Sequence, residues 1–142
     1  MKKTHRRITA FILSVLLLLS VTACAGTQKS DNEIDLTTMS ATMVYSEVFD
    51  MIYKPEEYMG KTIKMRGILN AVYNEEDNTI IFACIIQDAT ACCEQGVEFH
   101  LKEDPEEFPE GGTEVTVVGT YDTYERDGEE YCYLKDAVFL DE

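Results

Sequence analysis

Gly60-Lys61-Thr62-Ile63-Lys64-Met65-Arg66-Gly67 returns later in the chain as Gly112-Thr113-Glu114-Val115-Thr116-Val117-Val118-Gly119. Both octets open and close on glycine, and both carry apolar residues at their fourth and sixth positions. That period of two belongs to a strand with one buried face. A glycine inside a strand marks a bulge or a sharp bend. Two long strands, each bent at a mid-strand glycine, are what a small closed barrel needs to turn its corners.

Working outward from the octets, strands are expected at Thr62–Tyr73, Thr79–Ile86, Val97–Leu101, Glu114–Tyr124 and Glu130–Leu140. The second is apolar on both faces, as a central strand would be. Asn74–Asn78 and Asp127-Gly128 are the turns of two hairpins. Glu103–Gly112, with Pro105, Pro109 and a glycine pair, is a connection with room for a short helix. Upstream, Val44, Val48, Met51 and Ile52 make an apolar stripe at helical spacing, which predicts a helix from Ser40, its N-cap, to Tyr53. Pro55 limits that helix, because the residue before a proline avoids the helical region. Pro55–Gly60 is one further turn closed by a glycine. The count is one helix followed by five strands, with a long third connection, which predicts a barrel.

The pattern GKTIKMRG, an apolar strand, a Cys-containing stretch, GTEVTVVGTY and the final YCYLKDAVFL resembles the OB-fold. MVYSEVFDMIYKPEEYMGKTIKMRG and CIIQDATACCEQGVEF resemble uncharacterised OB-fold lipoproteins of Gram-positive anaerobes, over residues 40–142. The resemblance implies an all-β, five-stranded OB-fold-like Greek-key barrel with one N-terminal helix packed against it. It brings no activity with it; OB-folds bind oligonucleotides and oligosaccharides among other ligands, and a fold alone does not decide function.

The N-terminus carries a second resemblance. Met1–Arg7 holds four Lys/Arg and no acid, and Ile8–Thr22 follows without a charge. The run has the length of a signal-peptide core and falls short of the roughly 20 residues of a membrane span. Val21-Thr22-Ala23-Cys24 then resembles the bacterial lipobox. The resemblance implies cleavage before Cys24, a diacylglyceryl group on its sulfur and anchorage to the extracytoplasmic face of the cell membrane; the alternative is an uncleaved anchor helix. Lipid chains hold by about 0.8 kcal/mol per buried CH₂, so two or more hold stably. The expected organisation is a signal peptide at 1–23, a lipidated cysteine and flexible tether at 24–39, and the barrel domain at 40–142.

Residues 1–23 contain four of the 12 Lys+Arg and none of the 27 Asp+Glu, leaving eight positive against 27 negative charges, a formal −19. Such a surface repels a phosphate backbone, which argues against nucleic acid as a partner. An uncharged ligand, a glycan or peptide, or an unknown envelope protein fits better.

Beyond Cys24 stand four cysteines, Cys84, Cys92, Cys93 and Cys132. Adjacent Cα atoms lie about 3.8 Å apart, below the roughly 4.4–6.8 Å of a relaxed disulfide. Full oxidation would therefore send Cys92 and Cys93 separately to Cys84 and Cys132. Three readings stand open: structural disulfides or buried thiols; a soft-metal site of Cys84, Cys92, Cys93 and Cys132, with His100 as a further donor, for Zn²⁺ or Cu⁺; and a redox switch at the vicinal pair. There is no C-x₂-C spacing, and the alternation of Val97, Phe99 and Leu101 turns His100 outward beside Glu98.

Catalytic patterns are missing. Past Cys24 the chain has one histidine, His100, and its serines are Ser30, Ser40 and Ser46, all in the tether or helix region. No nucleophile elbow, phosphate loop or two-histidine metal motif occurs. Asp88 and Asp136 are the acids nearest the cysteines and are expected to serve as turn or strand-end hydrogen-bonders. No enzyme activity and no cofactor is expected. Asp77, Glu125, Asp127, Glu129 and Glu130 crowd the hairpin turns without the spacing of an EF-hand. The ligand-binding candidates are Tyr73, Tyr121, Tyr124, Tyr131 and Tyr133, aromatic rings of the kind that form stacking platforms on OB-fold faces; strand tyrosines also pair across hairpins.

Overall fold

In the computed structural model, which describes residues 32–75 and 78–141, the two glycine-bounded octets lie side by side. Ile63 pairs with Gly119, Met65 with Val117 and Gly67 with Val115 in one antiparallel ladder. Chain order is β1 (Glu33–Asp35), a 3₁₀ turn (Leu36–Thr38), α1 (Ala41–Tyr53), a second 3₁₀ turn (Pro55–Glu57), β2 (Thr62–Asn74), β3 (Thr79–Gln87), β4 (Glu94–Leu101), β5 (Glu114–Arg126) and β6 (Glu129–Leu140). β2 pairs with β3, β3 with β4, β4 with β6, β6 with β5, and β5 closes on β2. Within this ring β4 and β6 run parallel, and the other pairs are antiparallel. The result is a closed five-stranded Greek-key barrel with one helix, in the strand order of an OB-fold.

The mid-strand glycines do the work expected of them. β2 gives its first half to β5 and its second half to β3, and Ile68 pairs with both. A Cβ on Gly67 would sit 2.5 Å from the Ile85 carbonyl oxygen and 2.8 Å from the Cys84 sulfur. The missing side chain is what lets β3 approach where β2 changes partner. At Gly119, a Cβ would lie 2.9 Å from Leu134 Cβ. Here the β5–β6 ladder jumps from Val118↔Val138 to Thr120↔Lys135. The residue in excess on β6 is around Asp136, whose φ is +51°, and β4 slips at the same place, from Phe99↔Leu134 to Leu101↔Ala137. One bulge therefore bends both ladders. Asp136 is a bulge residue with an exposed side chain.

The β5–β6 hairpin closes on Asp127 (φ +56°) and Gly128 (φ +80°), the left-handed pair of a type I′ turn. α1 buries Val48 and Met51 completely, with Val44 and Ile52 packed beside them. Tyr121, at the centre of β5, donates its hydroxyl hydrogen bond to the Met51 carbonyl and ties helix to barrel. Ser40 occupies the N-cap as expected, but its side chain makes no cap bond; its carbonyl accepts from the Val44 N–H at 2.9 Å.

Three expectations shift. The tether assigned to 24–39 is structured from Glu33 onward: β1 pairs parallel with Thr62–Lys64, and Leu36 is fully buried. The cause is apolar area, because Ile34 and Leu36 have a groove to fill and Asp35 caps the turn by accepting from the Thr37 N–H at 3.0 Å. Second, the 102–113 connection holds no helix. Its two prolines and Gly111-Gly112 break the period, and Phe108 stacks on Phe82 at 5.5 Å instead. Third, β3 buries one face and not two: Cys84 and Ile86 are buried, while Ile81, Ala83 and Ile85 on the outward face of the closed barrel stay half-buried and Ile80 is exposed. The signal peptide 1–23, Cys24, the tether to residue 31 and Asp77 lie outside the described residues. Among the described residues no helix is long and apolar enough to cross a membrane.

Candidate functional site

Alternation along β4 sends Val97 and Phe99 into the barrel, so Glu98 and His100 face outward. The same period places Tyr131 and Tyr133 on the outer side of β6, and Tyr124 and Arg126 on that of β5. Strand pairing then brings them together: Tyr124 opposite Tyr131, and Tyr133 opposite Glu98. His100 lies 4.5 Å from Tyr133 and 5.7 Å from Tyr124, ring centre to ring centre. Tyr124 and Tyr133 meet edge to face at 5.3 Å. These are the separations of interacting aromatic pairs, worth about 0.5–1.5 kcal/mol beyond area burial.

Glu98 is the polar hub of the face. It accepts from the Tyr124 hydroxyl at 2.5 Å and from Arg126 at 3.2 Å. The guanidinium also sits 4.1 Å above the Tyr131 ring, a cation–π contact that flattens both groups against the sheet. Burial, and then the bond to Glu98, pushes the Tyr124 phenol up to about 12. The phenol stays a neutral donor. The rings are thus half-exposed and held in fixed orientations, which lowers the entropy cost of presenting them to a ligand.

A groove runs beside the cluster. One hollow of about 390 Å³ is lined by Ile81, His100, Asp104, Tyr124 and Arg126 among others. A second of the same size is lined by Val72, Tyr73, Ile81, Arg126 and Asp127 among others. Sharing Ile81 and Arg126, they link the two hairpins, and each has the volume of a small-ligand site. Two further hollows, of about 360 and 500 Å³, are lined around Leu36 and Val44 and around Arg66 and Asp141; the second has Phe139 as its single aromatic residue and the first has none.

The tyrosine candidates therefore divide. Tyr124, Tyr131 and Tyr133 form the face, and Tyr73 lines the far end of the groove, its hydroxyl bonded to Asn78. Tyr121 does not belong: it is fully buried in the core beneath α1. Its position continues the period Val115-Val117-Gly119, so the alternation already points it inward. Burial raises its phenol pKa. Arg126 was not among the candidates, although it stands two residues after Tyr124 and so on the same face.

The cysteines do not assemble as a set. All four are free thiols. Cys84 is fully buried inside the barrel, and burial pushes its thiol up to about 12. Cys132 is half-buried beside Tyr121, and burial raises its thiol as well. Cys92 and Cys93 stand exposed in the β3–β4 turn with their sulfurs 3.6 Å apart. A pairing of Cys92 and Cys93 with Cys84 and Cys132, and the four-thiol metal site, both require a convergence that the strands do not create, since Cys84 points into the core. His100 is also elsewhere, among the tyrosines. Among the described residues, three or more His, Cys, Asp or Glu donors come within 4.8 Å of one another only at Asp88, Cys92 and Cys93. Asp88 is the turn hydrogen-bonder expected of it: bonds from the Thr90 hydroxyl and from Cys92 and Cys93 hold its carboxyl down at about 2.

Comparisons with protein-family models, with curated proteins and with solved structures find no match for this chain. The fold and the face together define an OB-type barrel presenting an ordered aromatic surface beside a groove.

Proposed function

We propose that this chain is a lipid-anchored, extracytoplasmic binding protein without catalytic activity, that its ligand face is the aromatic groove of β4, β5 and β6, and that its ligand is a neutral glycan. The observation that carries the reading is the cluster of Tyr124, Tyr131, Tyr133 and His100, braced by Glu98 and Arg126 on an otherwise acidic surface. Ring faces stack on the apolar side of a sugar, and Glu98 and Arg126 supply an acceptor and a donor for its hydroxyls. The charge of the chain disfavours polyanions, which removes nucleic acid from the classes that OB-folds take. Anchorage rests on the order of basic start, apolar run and lipobox before Cys24.

The test is calorimetric titration of the full chain in detergent with neutral cell-wall oligosaccharides. Nucleobases stacked on aromatic rings contribute about 1–3 kcal/mol per base by alanine substitution in OB-type binders, the order expected here for a ring stacked on a sugar face, and about 1.4 kcal/mol is tenfold in affinity. Tyr131→Ala and Tyr133→Ala should each weaken binding by roughly five- to a hundredfold with the near-ultraviolet dichroism of the core unchanged. Unaltered affinity in the double variant would remove the face from function. Binding of peptides in place of oligosaccharides, lost in the same variants, would keep the face and overturn the glycan.

A further inference from the structure

The β3–β4 turn carries a second arrangement, independent of the aromatic groove. Asp88 Oδ1 accepts from the Cys92 N–H at 2.9 Å and from the Cys93 N–H at 3.4 Å. The turn closes through the Asp88 N–H to the Cys93 carbonyl at 2.9 Å, with Ala91 in the left-handed region at φ +52°. These bonds use up one carboxylate oxygen and aim the other. Oδ2 lies 3.3 Å from the Cys92 sulfur, and that sulfur lies 3.6 Å from the sulfur of Cys93. The Thr90 hydroxyl, 2.9 Å from Oδ2 and 3.2 Å from the Cys92 sulfur, steadies both.

We propose that Asp88, Cys92 and Cys93 form an open, three-ligand site for a single Zn²⁺ ion. The geometry carries the proposal. Tetrahedral zinc, with Zn–S of about 2.3 Å and Zn–O of about 2.0–2.2 Å, sets its ligand sulfurs about 3.8 Å apart and sulfur and oxygen about 3.6 Å apart. The turn already holds its donors at 3.6 and 3.3 Å. All three donor groups lie within 4.8 Å of one another and the two thiols are exposed, so an ion reaches them without opening the fold. The donor chemistry selects the ion: paired thiolates disfavour Mg²⁺ and Ca²⁺, and a hard carboxylate disfavours Cu⁺. Binding replaces the two thiol protons, which leave to water, by one dication. That makes the occupied site neutral in ligand-plus-metal charge apart from the carboxylate. The fourth corner of the tetrahedron is open to water or to a donor from a partner, the pattern of zinc sites that exchange a ligand. The set differs from the four-cysteine site by excluding Cys84 and Cys132 and including Asp88.

The experiment uses the full chain in detergent, stripped of metal and held under a non-thiol reductant. Zn²⁺ is titrated against a chromophoric chelator, and Co²⁺ binding is followed by its absorbance. Wild type should take up one ion per chain and give the intense visible bands of tetrahedral Co²⁺ with thiolate charge transfer. Loss of even outer-shell partners of a metal costs about 10–100-fold in affinity, so Cys92→Ser, Cys93→Ser and Asp88→Asn should each weaken Zn²⁺ by at least about tenfold. Glu129→Gln, an exposed acid elsewhere on the surface, should leave it unchanged. Cys92→Ser keeps the backbone bond to Asp88, so a loss there is not a loss of the turn. Equal affinity in wild type and the Cys92→Ser/Cys93→Ser pair, or no stoichiometric uptake, would overturn the site. Asp88→Asn at wild-type affinity would also overturn it, because the third ligand would be wrong.

Discussion

Gly67 occupies a point where no side chain fits. A Cβ there would meet the Ile85 carbonyl oxygen, a backbone atom that cannot rotate away. Overpacking a core costs typically about 1–3 kcal/mol, and a contact of 2.5 Å on backbone belongs at the upper end. Gly67→Ala is therefore expected to lower stability by about 3 kcal/mol, read as a fall in the urea midpoint at constant slope. A wild-type midpoint would mean that β3 does not press on β2 at this residue. The neighbouring thiol shows how differently one residue type behaves by position. Cys84 shares that contact and is sealed inside the barrel, whereas Cys92 and Cys93 are open to solvent. Four cysteines in a sequence invite pairing; their positions here assign one to the core, one to the shelter of Tyr121 and two to a turn.

At the scale of elements, β1 and the turn after it are the addition. Three residues of strand and one buried leucine are too short for any periodic signal, and their partner, Thr62–Lys64, is distant in sequence. Tertiary burial decides them. Leu36 is fully buried in the core beside β2, and truncating a buried leucine costs about 2–5 kcal/mol. Leu36→Ala should cost about that much, measured by thermal unfolding at one pH. A change below about 0.5 kcal/mol would return residues 33–38 to the tether. The connection from β4 to β5 shows the converse. Its length invites a helix, but Pro105, Pro109 and Gly111-Gly112 forbid the period, and Phe108 fills the space by stacking on Phe82.

At the scale of the whole molecule, the barrel is one thing and its address another. The barrel has its own core, from Leu36 to Ala137. The proposed attachment lies in Cys24, whose substitution removes the acceptor of the lipid. Cys24→Ser is expected to move the protein from the membrane fraction to the soluble or secreted fraction, with dichroism of the barrel unchanged. Persistence in a carbonate-washed membrane pellet would instead indicate an uncleaved anchor helix and would end the lipoprotein reading. The strong negative charge belongs to this scale too, since it acts on every approaching partner within a Debye length of about 8 Å at physiological salt.

Features that depend on short-range pattern were legible along the chain. Period two with mid-strand glycines specified long bent strands, Asp127-Gly128 specified the tight hairpin, and the Val44–Ile52 stripe specified the helix. These are local steric and burial rules, legible wherever the neighbours along the chain carry the signal. Folding set the features that depend on neighbours across the barrel. It removed Tyr121 from the tyrosine candidates, although the same alternation was readable once the inner face was chosen. It added Arg126 and Glu98, whose meeting depends on the register of β4, β6 and β5. It separated Cys84 and Cys132 from the vicinal pair and put Asp88 in their place, because a turn's hydrogen bonds, and not sequence spacing, set where donor atoms converge.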